Sequence, residues 1–114
     1  MSDDILEDYK AAARFIKAIE VGEEAIILET KDEEKTSYLF ENLTKVSIIA
    51  TDEGPFLDDT FWLMMFKIII MIPQGVTGEE KLLERLQQLP DFDNDAVIKA
   101  MACSENDAFH VWEK

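Results

Sequence analysis

The sequence is poor in cysteine, in cations and in long apolar runs. Its single cysteine, Cys103 among 114 residues, excludes an internal disulfide framework and a multi-cysteine zinc site. Lys and Arg number 11 against 25 Asp and Glu, a formal net charge of -14. Nucleic-acid phosphates need Lys and Arg for neutralisation, so this balance argues against unassisted nucleic-acid binding. It opposes docking on an anionic membrane surface for the same reason. The most apolar stretch, Phe61 to Ile72, is interrupted by Lys67 and falls short of the roughly 20 residues a transmembrane helix needs. The start, Met1-Ser2-Asp3-Asp4-Ile5-Leu6-Glu7-Asp8, is acidic, whereas a secretory signal begins basic and continues apolar. A cytoplasmic setting with a reduced Cys103 is therefore expected. No Gly-rich loop precedes a helix and no Gly-Lys-Ser/Thr occurs, so no phosphate-cradling loop motif and no cofactor are implied.

What is present suits a folded chain. The apolar fraction is 47%, ordinary for a globular protein. The length suits a single domain over residues 1–114, able to bury roughly two-thirds of its unfolded surface without a metal or disulfide. Ile5, Tyr9, Ala12, Ala13, Ile16 and Ile19 recur at helical spacing. They predict a helix over residues 3–20 within an N-terminal segment 1–22, capped by Ser2 or Asp3 and stopped at Gly22.

Residues 23–73 read as an antiparallel sheet. Glu24 to Thr30 and Thr36 to Phe40 form a hairpin around a charged turn. Val46 to Thr51 is a third strand, with Ile48 and Ile49 implying burial on both faces. Thr60 to Phe66 and Ile68 to Ile72 are two more, favoured over a helix by consecutive isoleucines, aromatics and Pro73. Their link, Phe66-Lys67, has none of the Gly, Asn or Asp that tight hairpins favour. Within 76–103 a helical pair is expected. Thr77-Gly78-Glu79-Glu80 reads as a capping box with Thr77 as N-cap. Leu82, Leu83, Leu86 and Leu89 line its helix, and Pro90 ends it. Asp93 or Asn94 caps the other helix, with Val97, Ile98 and Met101 inward. A final strand covers 108–113, with Phe109 and Val111 on one face and His110 and Trp112 on the other. The whole is an α+β plan with about five consecutive strands in an antiparallel meander.

Residues 45–112 resemble a family of small uncharacterised bacterial proteins. The matching features are Thr51-Asp52-Glu53-Gly54-Pro55-Phe56, Asp59-Thr60-Phe61-Trp62, Pro73-Gln74, Leu82-Leu83-Glu84-Arg85-Leu86-Gln87 and Leu89-Pro90, followed by Phe92-Asp93-Asn94, Val97-Ile98, Ala100-Met101, and Phe109 with Trp112. The resemblance implies strands in a pleckstrin-homology-like arrangement. It carries no established activity, and fold alone does not give one. It also implies Gly where Asp91 stands and a Gly-containing turn where Phe66-Lys67 stands.

Five groups of residues are weighed as candidates for function. Asp52, Glu53, Asp58 and Asp59 crowd one loop around Pro55 and Phe56. That loop is a solvated turn, a recognition surface for a basic partner, or a Mg²⁺ or Ca²⁺ site. Asp91-Phe92-Asp93-Asn94-Asp95-Ala96 imitates half an EF-hand loop. It fails that pattern, with Ala96 where Gly is required and Ala102 where a bidentate Glu is required. Trp62, Phe92 and Trp112 are either core or the lining of a small-ligand pocket. Phe66, Lys67 and Ile68, if they form a turn, expose an apolar patch suited to homodimer formation. Cys103 and His110 have nucleophilic or basic potential, but nothing in the sequence brings them together. The preferred reading is a non-enzymatic domain that binds a basic protein, as an inhibitor, immunity protein or adaptor. Small-ligand binding by the aromatics is a second class. Metal-dependent hydrolysis by Asp52, Asp58 and Asp59 is a third.

Overall fold

A computed structural model describes residues 11–50, 60–102 and 107–114. The acidic loop residues Asp52, Glu53, Pro55, Phe56, Asp58 and Asp59 lie outside that set, as do Cys103 and residues 1–10 of the expected first helix. The described chain is α+β. Strands β1 (Ile16–Val21), β2 (Ala25–Thr30) and β3 (Lys35–Leu39) form one antiparallel sheet in that order. Strands β4 (Lys45–Ala50), β5 (Thr60–Met65), β6 (Ile69–Pro73) and β7 (Asp107–Glu113) form a second antiparallel sheet, ordered β6-β5-β4-β7. Helices α1 (Glu80–Leu86) and α2 (Asn94–Ala102) lie between β6 and β7.

One core serves both sheets. Ile16, Ile19, Ile26 and Leu28 from the first meet Val46, Ile48, Trp62, Met64 and Ile72 from the second, with Leu82, Leu86, Val97 and Ala100 from the helices. A smaller cluster of Ala13, Phe61 and Met71 buries part of the second sheet's other face. The interior of that sheet is therefore largely apolar on both sides, as the adjacent Ile48 and Ile49 and the unbroken run at 68–72 require.

The first helix ends sooner than the spacing predicts. Residues 11–14 are helical, but Ile16–Val21 is a strand. The pairing explains why. Ile16 faces Thr30 and Ala18 faces Glu29, so Lys17 is an extra residue. Such a bulge lets residues three apart share one face of a strand, and Ile16 and Ile19 both reach the core. Helical spacing and a bulged strand look alike here. A second bulge corrects the reading of β7. Phe109 pairs with Ile48 and Trp112 with Val46, with the irregularity between them. Ile48 and Val46 point the same way, so Phe109 and Trp112 share the core face, and His110 stands opposite Ser47.

Thr77 is not a helix cap. It forms a parallel bridge with Ala18, and its carbonyl accepts the Ile19 N–H at 2.8 Å. The N-cap of α1 is Glu79, whose side chain makes no cap bond and instead accepts Trp62 Nε1–H at 2.6 Å. That bond satisfies an indole N–H that would otherwise be buried without a partner. Gly78, at φ +91°, sits against Ile19, and a Cβ there would come within 2.0 Å of the Ile19 carbonyl oxygen.

Asp93 does cap its helix, accepting the Ala96 N–H at 3.0 Å. In α2 the inward residues are Val97 and Ala100, while Ile98 is 66% and Met101 50% exposed. Ile98 stands about 100° round the helix from Val97, so it cannot join that face, and Met101 follows Ile98 one turn on. Asp91 takes φ +60°, the left-handed conformation that glycine adopts without strain and Asp tolerates better than most residues.

Candidate functional site

The largest opening among those described is a cleft of about 500 Å³ at one end of the three-stranded sheet, lined by Glu23, Glu24, Leu39, Phe40, Glu41, Arg85 and Leu89. Two turns and a helix make it. Glu23 and Glu24 lie in the β1–β2 turn, closed by Gly22 N–H donating to Ala25 O at 2.9 Å. Phe40–Asn42 is a single 3-10 turn after β3, tied to the first by Phe40 N–H donating to Glu24 O at 2.9 Å. Arg85, in the last turn of α1, spans both. Its Nε–H donates to Glu23 O at 3.0 Å, and its guanidinium lies 4.5 Å from the Phe40 ring centroid. A guanidinium against an aromatic face is a favourable cation–π contact. Lys114 Nζ donates to Glu41 O at 3.0 Å, anchoring the 3-10 turn from the far end of the chain.

The chemical character is mixed in a particular way. Glu23, Glu24 and Glu41 are exposed. The apolar wall includes Leu39, 43% exposed, and half-buried Leu89. Arg85, the cation among the described lining residues, has its Nε and one face engaged. A lysine or arginine from another molecule can lay its aliphatic stem on Leu39 and Leu89 and keep its charged head among carboxylates.

The residues singled out by sequence are placed elsewhere. Trp62 is fully buried, with its N–H satisfied by Glu79. Trp112 is 7% exposed and donates Nε1–H to Pro90 O at 2.9 Å. Phe92 packs against the same core. These three side chains fill the interior, and none lines any of the three described clefts. Phe66, Lys67 and Ile68 do form a hairpin turn, since Met65 and Ile69 are the last pair of β5 and β6. Phe66 N–H donates to Ile68 O at 2.8 Å, and the Phe66 ring packs on Tyr38 with centroids 5.4 Å apart. Ile68, 54% exposed, is then the apolar side chain this turn presents, a smaller patch than two outward residues would make. His110 lies 3.8 Å from Glu113. Among the described residues no group of three or more His, Cys, Asp or Glu is arranged to hold a metal ion, and no helix is long and apolar enough to cross a membrane.

Sequence reading missed Glu23, Glu24, Glu41 and Arg85. Their separation along the chain is the reason: the cleft unites three segments that no local motif links. The available signal was the Glu23-Glu24 pair directly after Gly22, a turn composition with charge at its tip. No family model matches the chain, and comparison with curated proteins and with solved structures gives no match either.

Proposed function

We propose that the protein is a binding domain, not a catalyst, and that it receives a basic segment of a partner protein in the Glu23–Glu24–Glu41 cleft. The carrying observation is the cleft itself: three exposed carboxylates around an apolar wall, in a chain of net charge -14. Charge of that size steers a basic partner and speeds its association, an effect that weakens as salt rises. The inhibitor or adaptor role and the cytoplasmic setting belong to this proposal. So does the pleckstrin-homology-like arrangement, with which two antiparallel sheets on one core are compatible.

The test uses a synthetic peptide alternating lysine and leucine, titrated into ¹⁵N-labelled protein, with a glutamate–leucine peptide as control. The expected result is amide shifts confined to residues 23–25, 39–41 and 85, reduced by salt and abolished in Glu23→Lys/Glu24→Lys/Glu41→Lys. An equal response to the glutamate peptide, or shifts scattered over the whole surface, overturns the proposal.

A further inference from the structure

A second cleft, of about 280 Å³, has the opposite character. It lies at the other end of the three-stranded sheet, where the helical segment at 11–14, the β2–β3 turn and the turn after β6 converge. Arg14, Lys31 and Gln74 supply its polar groups, and among the described residues none that line it is acidic. That is notable where Asp and Glu outnumber Lys and Arg 25 to 11. We infer that this cleft, which Arg14 also lines, binds a small phosphate-class oxyanion held by Lys31 and the Gln74 amide.

Three observations carry the inference. First, Gln74 Nε2 is shielded from solvent and has no hydrogen-bond acceptor. Buried amide donors are seldom left so, and an unmet one costs roughly 1–3 kcal/mol. The terminal torsion of a glutamine is soft, so a turn of the amide offers this N–H₂ to a ligand oxygen. Second, the turn that carries Lys31 is fixed. Lys31 N–H donates to Phe15 O at 2.9 Å, and the neighbouring Asp32 carboxylate accepts from Thr30 Oγ1. Among the described residues Lys31 has no carboxylate partner. Third, Gly75 lines the same cleft at φ +90°, with nothing within 4 Å of where a Cβ would stand. Backbone there is open to close approach.

Charge favours phosphate over a carboxylate, since phosphate near neutral pH carries more negative charge than acetate for Lys31 to meet. Charge-assisted hydrogen bonds of this kind are the strong ones. The overall negative field opposes any anion, so the affinity expected for phosphate alone is millimolar.

The experiment is a titration of the ¹⁵N-labelled full chain with sodium phosphate, against sodium chloride at matched ionic strength and against sodium acetate. The expected result is a saturable shift of the Gln74 side-chain N–H₂ and the Gly75 amide with phosphate. Lys31→Glu, a change at an exposed turn, should weaken it at least about tenfold, the loss of one charge-assisted contact. Gln74→Glu should abolish it. Unchanged backbone spectra elsewhere in each variant verify the fold. A response no greater than with chloride, an undiminished response in Lys31→Glu, or equal saturation by acetate overturns the assignment. None of these outcomes involves Glu23, Glu24 or Glu41, so this inference stands or falls apart from the basic-segment proposal.

Discussion

The two sheets differ in what they can afford to change. In the four-stranded sheet the burial of β4 and β6 is nearly unbroken along the strand. In the three-stranded sheet β2 alternates and β3 is exposed along most of its length. The first is a slab with neither face left to solvent in its middle; the second has one wet face and open ends. Both clefts discussed above lie at ends of the three-stranded sheet, one built on the β1–β2 turn and the end of β3, the other on the β2–β3 turn. Structural specification and surface chemistry are thus divided between the sheets, and each can be perturbed separately.

The largest expected effect is in the slab. Trp62→Ala removes a fully buried side chain and should lower stability by about 3–5 kcal/mol, a large share of the roughly 5–15 kcal/mol available to a domain. Trp62→Phe keeps most of the packing and loses the bond to Glu79. Glu79 is only partly buried, so water can serve its carboxylate, and the expected cost is about 1 kcal/mol. Urea midpoints of the two variants separate packing from hydrogen bonding. If Trp62→Ala lost no more than Trp62→Phe, the slab would not be the rigid member of the pair.

The next effect tests the join between the sheets. Gly78 and Gly75 both have φ near +90°, yet their surroundings differ. Gly75→Ala carries only backbone strain, about 1 kcal/mol. Gly78→Ala adds a methyl group within 2.0 Å of the Ile19 carbonyl oxygen. It must push β1 away from the 77–78 turn, so about 3 kcal/mol is expected. Thermal melts of both variants check the ordering, and equal losses would mean that β1 moves freely.

The same division governs how much was legible in the sequence. Strands β2 to β6 were, because their apolar runs and turn compositions act locally. The two bulges were not. Each places apolar residues three apart on one face of a strand, Ile16 with Ile19 and Phe109 with Trp112. Spacing of three also fits a helix, and only the partner strand decides between them. Thr77 misled for a related reason: its motif was sound locally, but its backbone bridges to Ala18 and Ile19, far away in sequence, and the helix begins only at Glu80. Asp91 was not legible either: nothing local marks it as left-handed, yet it takes the conformation that glycine adopts without strain. The candidate clefts were the least legible, because Glu23, Glu41 and Arg85, like Arg14, Lys31 and Gln74, meet only through tertiary contacts.

The smallest effect on stability should bring the sharpest contrast with Trp62. Leu39 ends β3 opposite Ala25, and with 43% of its surface exposed it contributes far less burial than Trp62. Leu39→Ser should shift stability by about 0.5 kcal/mol or less, the usual range for a surface position. Yet its exposed part is the apolar wall on which a basic side chain's stem would lie. Covering that part on binding is worth about 1 kcal/mol at roughly 25 cal/mol per Å², so affinity for the lysine–leucine peptide should fall about fivefold while the urea midpoint stays nearly fixed. A fivefold loss of binding with intact stability assigns Leu39 to recognition. A loss of stability with unchanged binding would move Leu39 into the framework and leave the carboxylates as the whole of the cleft's chemistry.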